Sequence, residues 1–387
     1  MKVATTVALL MLYATFPPLP GDAAWCTKAT TLNGLAERFP GNRGPDVVVR
    51  VDLGQRIQDA IETATDLNGD GYIIVAAVNS GSGSPYGTTA QRVVVDRVYP
   101  LPFGLFGCSL SLRDPAPTDG LPTAHITAAA AAPDLFVMDL HATGSDVVGW
   151  LVEGNGRYLR NAYAKDNGIG YWFIGDGNTL HNGTAEANSD VGVLVDGHGN
   201  TVKDTRAMAN GSHGIQVIGD NSALLKNLVG DRNNGNGGAG ITLQGVGSLV
   251  QENKVHANGA DGITVTGGTA ARPNVIRLNA AGDKSRGNAG NGIHVLGDIG
   301  NGAPNALEIE RNTVRANGLN GILIAAGATG HELKGNVSGD KSPELNNGDC
   351  EFLVAAGNLN ATGNTANGVT IPGADGSAFP TTCIGTP

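Results

Sequence analysis

Residues Ala209–Asp220 read ANGSHGIQVIGD, and variants of this stretch recur along the chain. ANSDVGVLVDG occupies Ala187–Gly197, ANGADGITVTG occupies Ala257–Gly267, and ANGLNGILIAAG occupies Ala316–Gly327. In each copy an Asn stands four residues before a Gly, and an apolar residue follows that Gly. Recurrence of one short pattern predicts a chain built from stacked structural repeats.

The repeat has a basic length of 22 residues. The motif glycines, which follow one another at steps of 22, 22, 26, 22, 30 and 29, are Gly170, Gly192, Gly214, Gly240, Gly262, Gly292 and Gly321. Each unit contains two or three short runs in which apolar residues alternate, as expected of strands with one buried side. Because a unit is too short for a strand plus a helix, it fits one coil of an all-β solenoid, with coils about 4.8 Å apart.

The repeated asparagines have a structural role in such a stack. At a fixed corner, the side chains of successive coils can bond to one another and satisfy corner backbone groups. The residues four before the motif glycine are Asp166, Asn188, Asn210, Asn236, Asn258, Asn288 and Asn317. Glycine at the next corner permits backbone angles that other residues resist.

This pattern resembles the right-handed parallel β-helix proteins, the superfamily that includes pectate lyases, polygalacturonases and alginate epimerases. The resemblance covers residues 122–371 and implies an all-β, right-handed, single-stranded parallel β-helix of about ten coils. The short signatures WIDH and DPHD of particular lyases and epimerases are absent. The repeats therefore predict the fold more specifically than the activity.

The two ends of the chain differ from the repeats. Residues 1–24 combine Lys2, an apolar run and small residues, a pattern that predicts a secretory signal peptide. Residues 25–121 are predicted to form an N-terminal cap and the first coils, with an amphipathic capping helix at Leu53–Ala64. Residues 372–387 are predicted to form a C-terminal cap. We therefore expect a secreted, periplasmic or cell-surface protein.

Four cysteines lie near the ends of the chain. An even number in an exported protein favours disulfides. The simplest pairing is Cys26–Cys108 and Cys350–Cys383, since other pairings would cross the length of the chain. The connectivity remains open at this point.

The composition narrows the class of partner. The chain has 387 residues and a formal net charge of −10. This acidic balance argues against a general nucleic-acid binder, and no segment after residue 24 is apolar enough to enter a membrane. We expect a monomer.

One turn has the spacing of a calcium loop. Asp66, Asn68 and Asp70 could supply oxygens, with Gly71 at the sharp turn. The twelfth position is Ala77, where a calcium loop needs a bidentate Glu. A plain polar turn is the favoured interpretation, and calcium is the only cofactor that the sequence suggests.

A column of basic residues is predicted on one outward face. In the second strand-like run of each coil, the first residue is expected to point inward and the next outward. The outward residues are then Arg160, His181, Lys203, Lys226, Gln251, Arg277, Glu310 and Lys334. Like charges one coil apart repel, so their enrichment indicates a surface for a linear polyanion. The alternative is a set of ordinary solvated positions.

A second patch combines histidine, carboxylate and long loops. Insertions at Thr269–Pro273 and Asp298–Pro304 would form a cleft wall beside the outward-facing His294. Asp261 and His213 precede the motif glycine in nearby coils, and histidine with a carboxylate can perform general acid–base catalysis. The alternative is scattered surface residues, because His213 and Asp261 lie two coils, about 10 Å, apart.

Two further side chains could contact a sugar. Arg272 could neutralise a uronate while a base removes the adjacent proton. Trp172 offers an aromatic face for stacking, although bulky residues of this cluster also suit the core of a wide coil.

The sequence thus predicts an exported, carbohydrate-active β-helix that binds or processes a polysaccharide, most simply an acidic one. It leaves open whether the protein is an enzyme. Lyase or epimerase chemistry fits the residues better than hydrolysis, since the paired carboxylates of glycoside hydrolases are not evident beside the lone Gly197-His198-Gly199. The alternative is a non-catalytic extracellular structural or adhesion solenoid.

Overall fold

The structure is a computed structural model. It describes residues 45–51, 56–64, 72–77, 88–99, 103–130, 135–231, 233–267, 272–283, 286–296, 307–325, 331–340, 342, 344, 346–354, 359–371 and 383–384. The predicted signal peptide, the calcium-loop residues Asp66, Asn68 and Asp70, and Cys26 lie outside these residues. The side chain of Cys108 also lies outside them. The Cys26–Cys108 pairing therefore stays a prediction.

The strands stack into three parallel faces. Face 1 consists of Val93–Val95, Ala124–Ile126, Val148–Glu153, Ile169–Ile174, Val193–Asp196, Ile215–Ile218, Ile241–Gln244, Ile263–Val265, Ile293–Val295, Ile322–Ile324 and Phe352–Val354. Face 2 consists of Tyr158–Arg160, Thr179–His181, Thr201–Lys203, Ala223–Leu225, Leu249–Gln251, Asn274–Arg277, Leu307–Glu310, His331–Lys334 and Leu359–Thr362. Face 3 consists of Tyr163–Lys165, Thr184–Glu186, Arg206–Met208, Leu228–Val229, Lys254–Val255, Ala280–Ala281, Thr313–Val314, Val337–Ser338 and Thr365–Ala366.

The strands at the two ends of the solenoid depart from the regular three-face pattern. Phe103–Arg113 and Leu135–Thr143 are long strands, and the second pairs with the first strands of both face 2 and face 3. The strands before them are Pro45–Val51, Tyr72–Ala77 and Thr88–Ala90, and a short 3-10 helix spans Pro117–Asp119. At the other end Val369–Thr370 pairs antiparallel with Thr365–Ala366. The predicted parallel β-helix is confirmed.

The core is a set of aligned apolar columns. On face 1, Val195, Val217, Leu243, Val265 and Val295 stand at one register position in successive coils, and each is at most 2 % exposed. Burying such a side chain contributes about 1.5–3 kcal/mol. This repeated burial explains why a sequence poor in aromatic residues can fold, since every coil supplies its own part of the core.

Two asparagine ladders hold the corners. The predicted ladder joins faces 3 and 1, and each side-chain amide donates to the amide oxygen of the next coil along Asn167, Asn188, Asn210, Asn236, Asn258, Asn288, Asn317 and Asn347. Its first member is Asn167. The sequence pattern predicted Asp166 at this position, which was wrong by one residue, because Asp166 takes a positive φ at the bend. A second, unforeseen ladder joins faces 2 and 3 along Asn227, Asn253, Asn279, Asn312, Asn336 and Asn364.

The predicted capping helix is confirmed at Ile57–Ala64. Ile57, Ala60 and Ile61 are buried. The Gln58 side-chain oxygen accepts a hydrogen bond of 2.9 Å from the backbone N–H of Val94, on the first strand of face 1. The helix thus covers apolar residues and satisfies a backbone group at an otherwise open sheet edge.

The far end is closed by a disulfide. Cys350 and Cys383 are bonded, as the sequence predicted, and the bond holds Ile384 against Phe352 of the last face 1 strand. We expect Cys383→Ser to lower the free energy of unfolding by about 2–4 kcal/mol, because the bond closes a long loop in the unfolded chain. Denaturant unfolding of the oxidised wild type and the variant measures this difference. Equal midpoints would show that the closure does not stabilise the fold.

One buried histidine should make the fold sensitive to acid. His331 is 1 % exposed, and burial lowers its pKa to about 4. Because the unfolded chain binds this proton from about pH 6.5, the stabilisation is complete above that pH and is lost as the pH falls to about 4. We expect a loss on the order of 3 kcal/mol across this window.

The variant His331→Asn should reduce the loss of stability in acid by the part that His331 contributes, while His141 and His181, whose pKa values are also lowered to about 4, keep theirs. His331 Nδ1 accepts the backbone N–H of Leu307, and Asn274 makes the same type of bond at the equivalent position two coils earlier. The measurement is the unfolding midpoint from pH 7 to pH 4. Parallel curves for wild type and variant would show that His331 is not the titrating group.

Candidate functional site

The structure joins two of the predicted catalytic residues. His294 lies in the face 1 strand Ile293–Val295, and Asp261 lies just before the strand of the preceding coil. His294 Nδ1 is 2.8 Å from Asp261 Oδ2, and both side chains are 18 % exposed. A carboxylate on Nδ1 fixes the neutral imidazole with its proton on that nitrogen. Nε2, which has no hydrogen-bond partner among the described residues, is then the basic atom.

Asp261 is itself held in place. Its Oδ1 accepts hydrogen bonds from the backbone N–H and the side-chain amide of Asn291, at 2.7 and 2.8 Å. The Thr264 hydroxyl donates to Oδ2 at 3.3 Å. Burial raises the pKa of Asp261, but the hydrogen bonds from His294 and Asn291 outweigh it, so the pKa is lowered. The carboxylate therefore stays charged and can stabilise a protonated His294.

Asn291, Asn320 and Thr264 are the site residues that sequence reasoning missed. Asn320 donates to Asn291 Oδ1 from its backbone and its amide, at 3.1 and 2.9 Å, which extends the support of Asp261 over three coils. The sequence contains a signal for this arrangement, because Asp261, Asn291 and Asn320 each directly precede a motif glycine.

His213 lies on the same border of face 1 but apart from the pair. Its Nδ1 accepts the backbone N–H of Ala239 at 3.1 Å and lies 3.4 Å from the Thr242 hydroxyl. Ala239 occupies the coil between His213 and Asp261. No contact between His213 and the His294–Asp261 pair is observed among the described residues, so its catalytic role stays a prediction.

Arg272 lies on the other border of face 1. Its guanidinium is 3.2 Å from Asp220 and donates to Asn221 at 2.8 Å, at the corner that leads to face 2. The strand Ile263–Val265 crosses face 1 between this corner and the one that holds Asp261. The role of Arg272 as the cation that neutralises a uronate stays a prediction. Most of the predicted loop wall, residues 268–271 and 297–306, lies outside the described residues.

The basic column on face 2 is shorter than predicted. Strand pairing places Leu225, and not Lys226, between Lys203 and Gln251. Lys226 instead occupies the next bend with a positive φ, where it lies 3.6 Å from Glu252. The observed column is Arg160, His181, Lys203, Leu225, Gln251, Arg277, Glu310 and Lys334. An apolar residue and an acidic residue therefore interrupt it.

The positive charge of this column is also reduced by a neutral histidine and by neighbouring polar and acidic groups. Burial, with Lys203 and Arg160 nearby, lowers the pKa of His181 to about 4, so this histidine is neutral near pH 7. Arg277 donates to Gln251 at 2.8 Å. Lys334 is 3.8 Å from Glu332. These contacts favour the interpretation as solvated positions, and polyanion binding by this column stays a prediction.

Trp172 lies on the outer side of face 1. Trp150, Tyr171 and Phe173 are buried in the core, whereas Trp172 is half-buried. Strand pairing places it in one outward column with Leu194, Gln216, Thr242, Thr264 and His294. Five coil steps separate Trp172 from His294, or about 24 Å. Face 1 therefore offers a continuous surface with an aromatic ring on its fourth strand and His294 on its ninth.

His198 of the Gly197-His198-Gly199 stretch belongs to a corner. Its side chain is 60 % exposed, and Nδ1 accepts the backbone N–H of Asp220. This role agrees with the interpretation of the stretch as a turn. No cluster of three or more potential metal ligands occurs among the described residues. None of the described helices is long and apolar enough to span a bilayer.

The fold and this face define a class of protein. The family described as "Right handed beta helix region" matches residues 139–281 and 172–338, which together are 200 of the 387 residues. The chain belongs to the right-handed β-helix family. No curated protein sequence matches it.

Solved structures with the same fold include two alginate epimerases. The A-module of the Azotobacter vinelandii mannuronan C-5 epimerase AlgE6 has a TM-score of 0.51 and 18 % identity, over 82 % of this chain and 94 % of that one. The periplasmic alginate epimerase AlgG has a TM-score of 0.54 and 15 % identity, over 83 % of this chain and 85 % of that one. Likeness at this level of identity shows a shared fold.

Proposed function

We propose that the protein acts on an acidic polysaccharide that lies along face 1, with His294 as the general base and Asp261 as its positioning residue. The observation that carries this proposal is the 2.8 Å contact between His294 Nδ1 and Asp261 Oδ2 on an outward, half-buried surface. A base oriented by a second group, with its other nitrogen free to meet substrate, is the arrangement that proton abstraction requires.

The chemistry starts with removal of the proton at C5 of a uronate by His294 Nε2. In a lyase, the C4–O4 bond then breaks, O4 leaves with the electron pair and takes up a proton, and a C4–C5 double bond remains. In an epimerase, a proton adds to the opposite side of C5, which restores a C5–H bond with inverted configuration, and the glycosidic bonds stay intact. Asp261 would stabilise the imidazolium in both cases. Arg272 is our candidate for the cation that contacts the substrate across face 1.

Two observations support an acidic polymer as substrate. The solved structures described above are named as epimerases of mannuronan and alginate, and they share this fold over most of their length. Trp172 and His294 occupy one outward column, so an extended polymer along the axis could contact both. The periplasmic location named for one of these proteins also agrees with the signal peptide that the sequence predicts.

The test is incubation of the purified protein with pectate, alginate and glycosaminoglycans in deuterated buffer. Ultraviolet absorbance reports unsaturated uronate, the lyase product. Proton NMR reports loss of the H5 signal without chain cleavage, the epimerase result. Retention on each immobilised polymer is recorded in parallel. Either chemical signal supports the proposal. Retention without reaction would favour a binding module, and no signal on any polymer would favour the structural or adhesion solenoid.

A further inference from the structure

Face 3 carries a notch that none of the predicted sites includes. The outward residues at one register position are Lys254, Ala280 and Thr313 in three successive coils. Ala280 is much shorter than either neighbour, so the middle coil leaves a gap. The following position repeats this pattern with His256, Gly282 and Arg315. Gly282 has a φ of +81° and packs directly against the Arg315 carbonyl and the Asn317 amide, so no side chain fits at this position.

The notch is a cleft of about 330 Å³ with charged walls. Lys254, His256 and Arg315 line it from the neighbouring coils, and Asp231, Asp283 and Arg286 complete the wall. Arg286 is 3.0 Å from Asp231, and Arg315 is 3.1 Å from Asp340. Lys254 is exposed and has no ion-pair partner among the described residues. Asp283 likewise has no ion-pair partner among the described residues, so the lining supplies one unpaired cation, one unpaired carboxylate and several fixed polar groups.

His256 provides an independent indication of a ligand. It is 6 % exposed and lines the cleft, yet its Nδ1 is buried without a hydrogen-bond partner. Burial lowers the pKa of its imidazole, so the ring is neutral and each nitrogen needs a donor or an acceptor. Leaving such an atom unpaired costs about 1–3 kcal/mol. Because Nδ1 has almost no accessible surface, the ring must rotate before this atom can bond to a polar ligand in the cleft.

We infer that this cleft binds one uronate residue of an acidic saccharide. Lys254 and Arg315 would bind the carboxylate, while Asp231, Asp283 and His256 would bind ring hydroxyls. The choice of a uronate rests on the proposed function of face 1, but the cleft shares no residue with the His294–Asp261 pair. It would therefore hold the polymer, or a product released from it, at a place where no chemistry occurs.

One NMR experiment can detect binding at the cleft and at the His294–Asp261 pair in the same spectrum. The chain has eight histidines. Labelling their Cε1 atoms with carbon-13 gives a small set of NMR signals, and the spectra of His256→Gln and His294→Gln assign the two of interest. Trigalacturonate and trimannuronate are the probes, with neutral maltotriose for comparison. We expect a saturable shift of the His256 signal with a uronate trisaccharide and none with maltotriose.

Two variants and a matched control test the location. Lys254→Gln should weaken the binding by about tenfold, as expected for loss of a charged hydrogen bond. Ala280→Leu fills the gap from an outward position and should abolish the shift. Arg206→Gln removes an exposed cation from the same outward column, two coils away, and should leave the binding unchanged.

The outcomes separate this inference from the proposed function. A stationary His256 signal while the His294 signal moves overturns the cleft and supports face 1. The reverse result overturns the face 1 proposal and supports the cleft. An equal response to maltotriose, or equal weakening by Arg206→Gln, overturns the assignment of Lys254 as the carboxylate ligand.

Discussion

His294→Ala is expected to lower the rate of uronate elimination or epimerisation by a factor of about 10² to 10⁴, the usual contribution of a general base. The substitution removes the imidazole whose Nδ1 bonds to Asp261. His294 is in an outward position on face 1 and does not belong to the core. The variant should therefore unfold at nearly the same denaturant concentration as the wild type. The measurement is the initial rate on the polymer that the wild type converts.

Asp261→Asn tests whether the negative charge of Asp261 contributes to catalysis apart from its hydrogen bonds within the fold. Asn291 and Asn320 occupy the equivalent position in the next two coils, so an asparagine fits the ladder. The variant should fold normally, but its side chain no longer stabilises a protonated His294. We expect kcat to fall about tenfold to a hundredfold with little change in KM. A fall in stability equal to the fall in rate would show that Asp261 acts through the fold alone.

Another His–carboxylate pair on face 1 supplies the control. His125 Nε2 is 2.9 Å from Glu153 Oε2 near the N-terminal end of the face. His125→Ala should leave the rate unchanged, since no feature of the His294 site reaches it. If His125→Ala abolishes the reaction and His294→Ala does not, the catalytic site lies at the other end of face 1.

Asn258→Ala is expected to lower the free energy of unfolding by about 3–5 kcal/mol. Asn258 is 1 % exposed. Its amide oxygen accepts bonds from the backbone and side-chain N–H groups of Asn236, and its amide nitrogen donates to Asn288 Oδ1 and the Val229 carbonyl. Alanine leaves the backbone N–H of Asn236 buried without an acceptor, which costs more than the bond itself contributed. It also removes one of the two bonds made by the Asn236 amide, by Asn288 Oδ1 and by the Val229 carbonyl. Denaturant unfolding followed by circular dichroism measures the loss.

Asn182→Ala is the matched control. Asn182 is exposed, and its side chain makes one 2.7 Å bond to Asn161 at the outer side of a corner. This change should lower the free energy of unfolding by about 1 kcal/mol, mainly because alanine is less favourable than asparagine at the positive φ of this bend. If Asn258→Ala and Asn182→Ala lower the free energy of unfolding by the same small amount, water replaces the missing amide. The buried ladder is then not a major source of stability.

The candidate site shows where sequence reasoning stopped. The repeat indicated that His294 points outward and that Asp261 precedes a motif glycine. It did not indicate that they touch, because 33 residues separate them and the long coil between them includes an insertion. The repeat also did not indicate which border of face 1 Arg272 occupies, because proximity along the chain does not determine this.

The sequence by itself determined the repeat, the inward apolar columns and one of the two asparagine ladders, because a stack repeats its local chemistry in every coil. It also indicated the Cys350–Cys383 pairing from the position of the cysteines. The tertiary structure decided the register of each bend, as the positions of Asp166 and Lys226 illustrate, since a bend residue with positive φ displaces the next side chain by one place. It also decided which side chains of different coils meet, because insertions shift sequence spacing while hydrogen bonding between strands keeps the coils aligned.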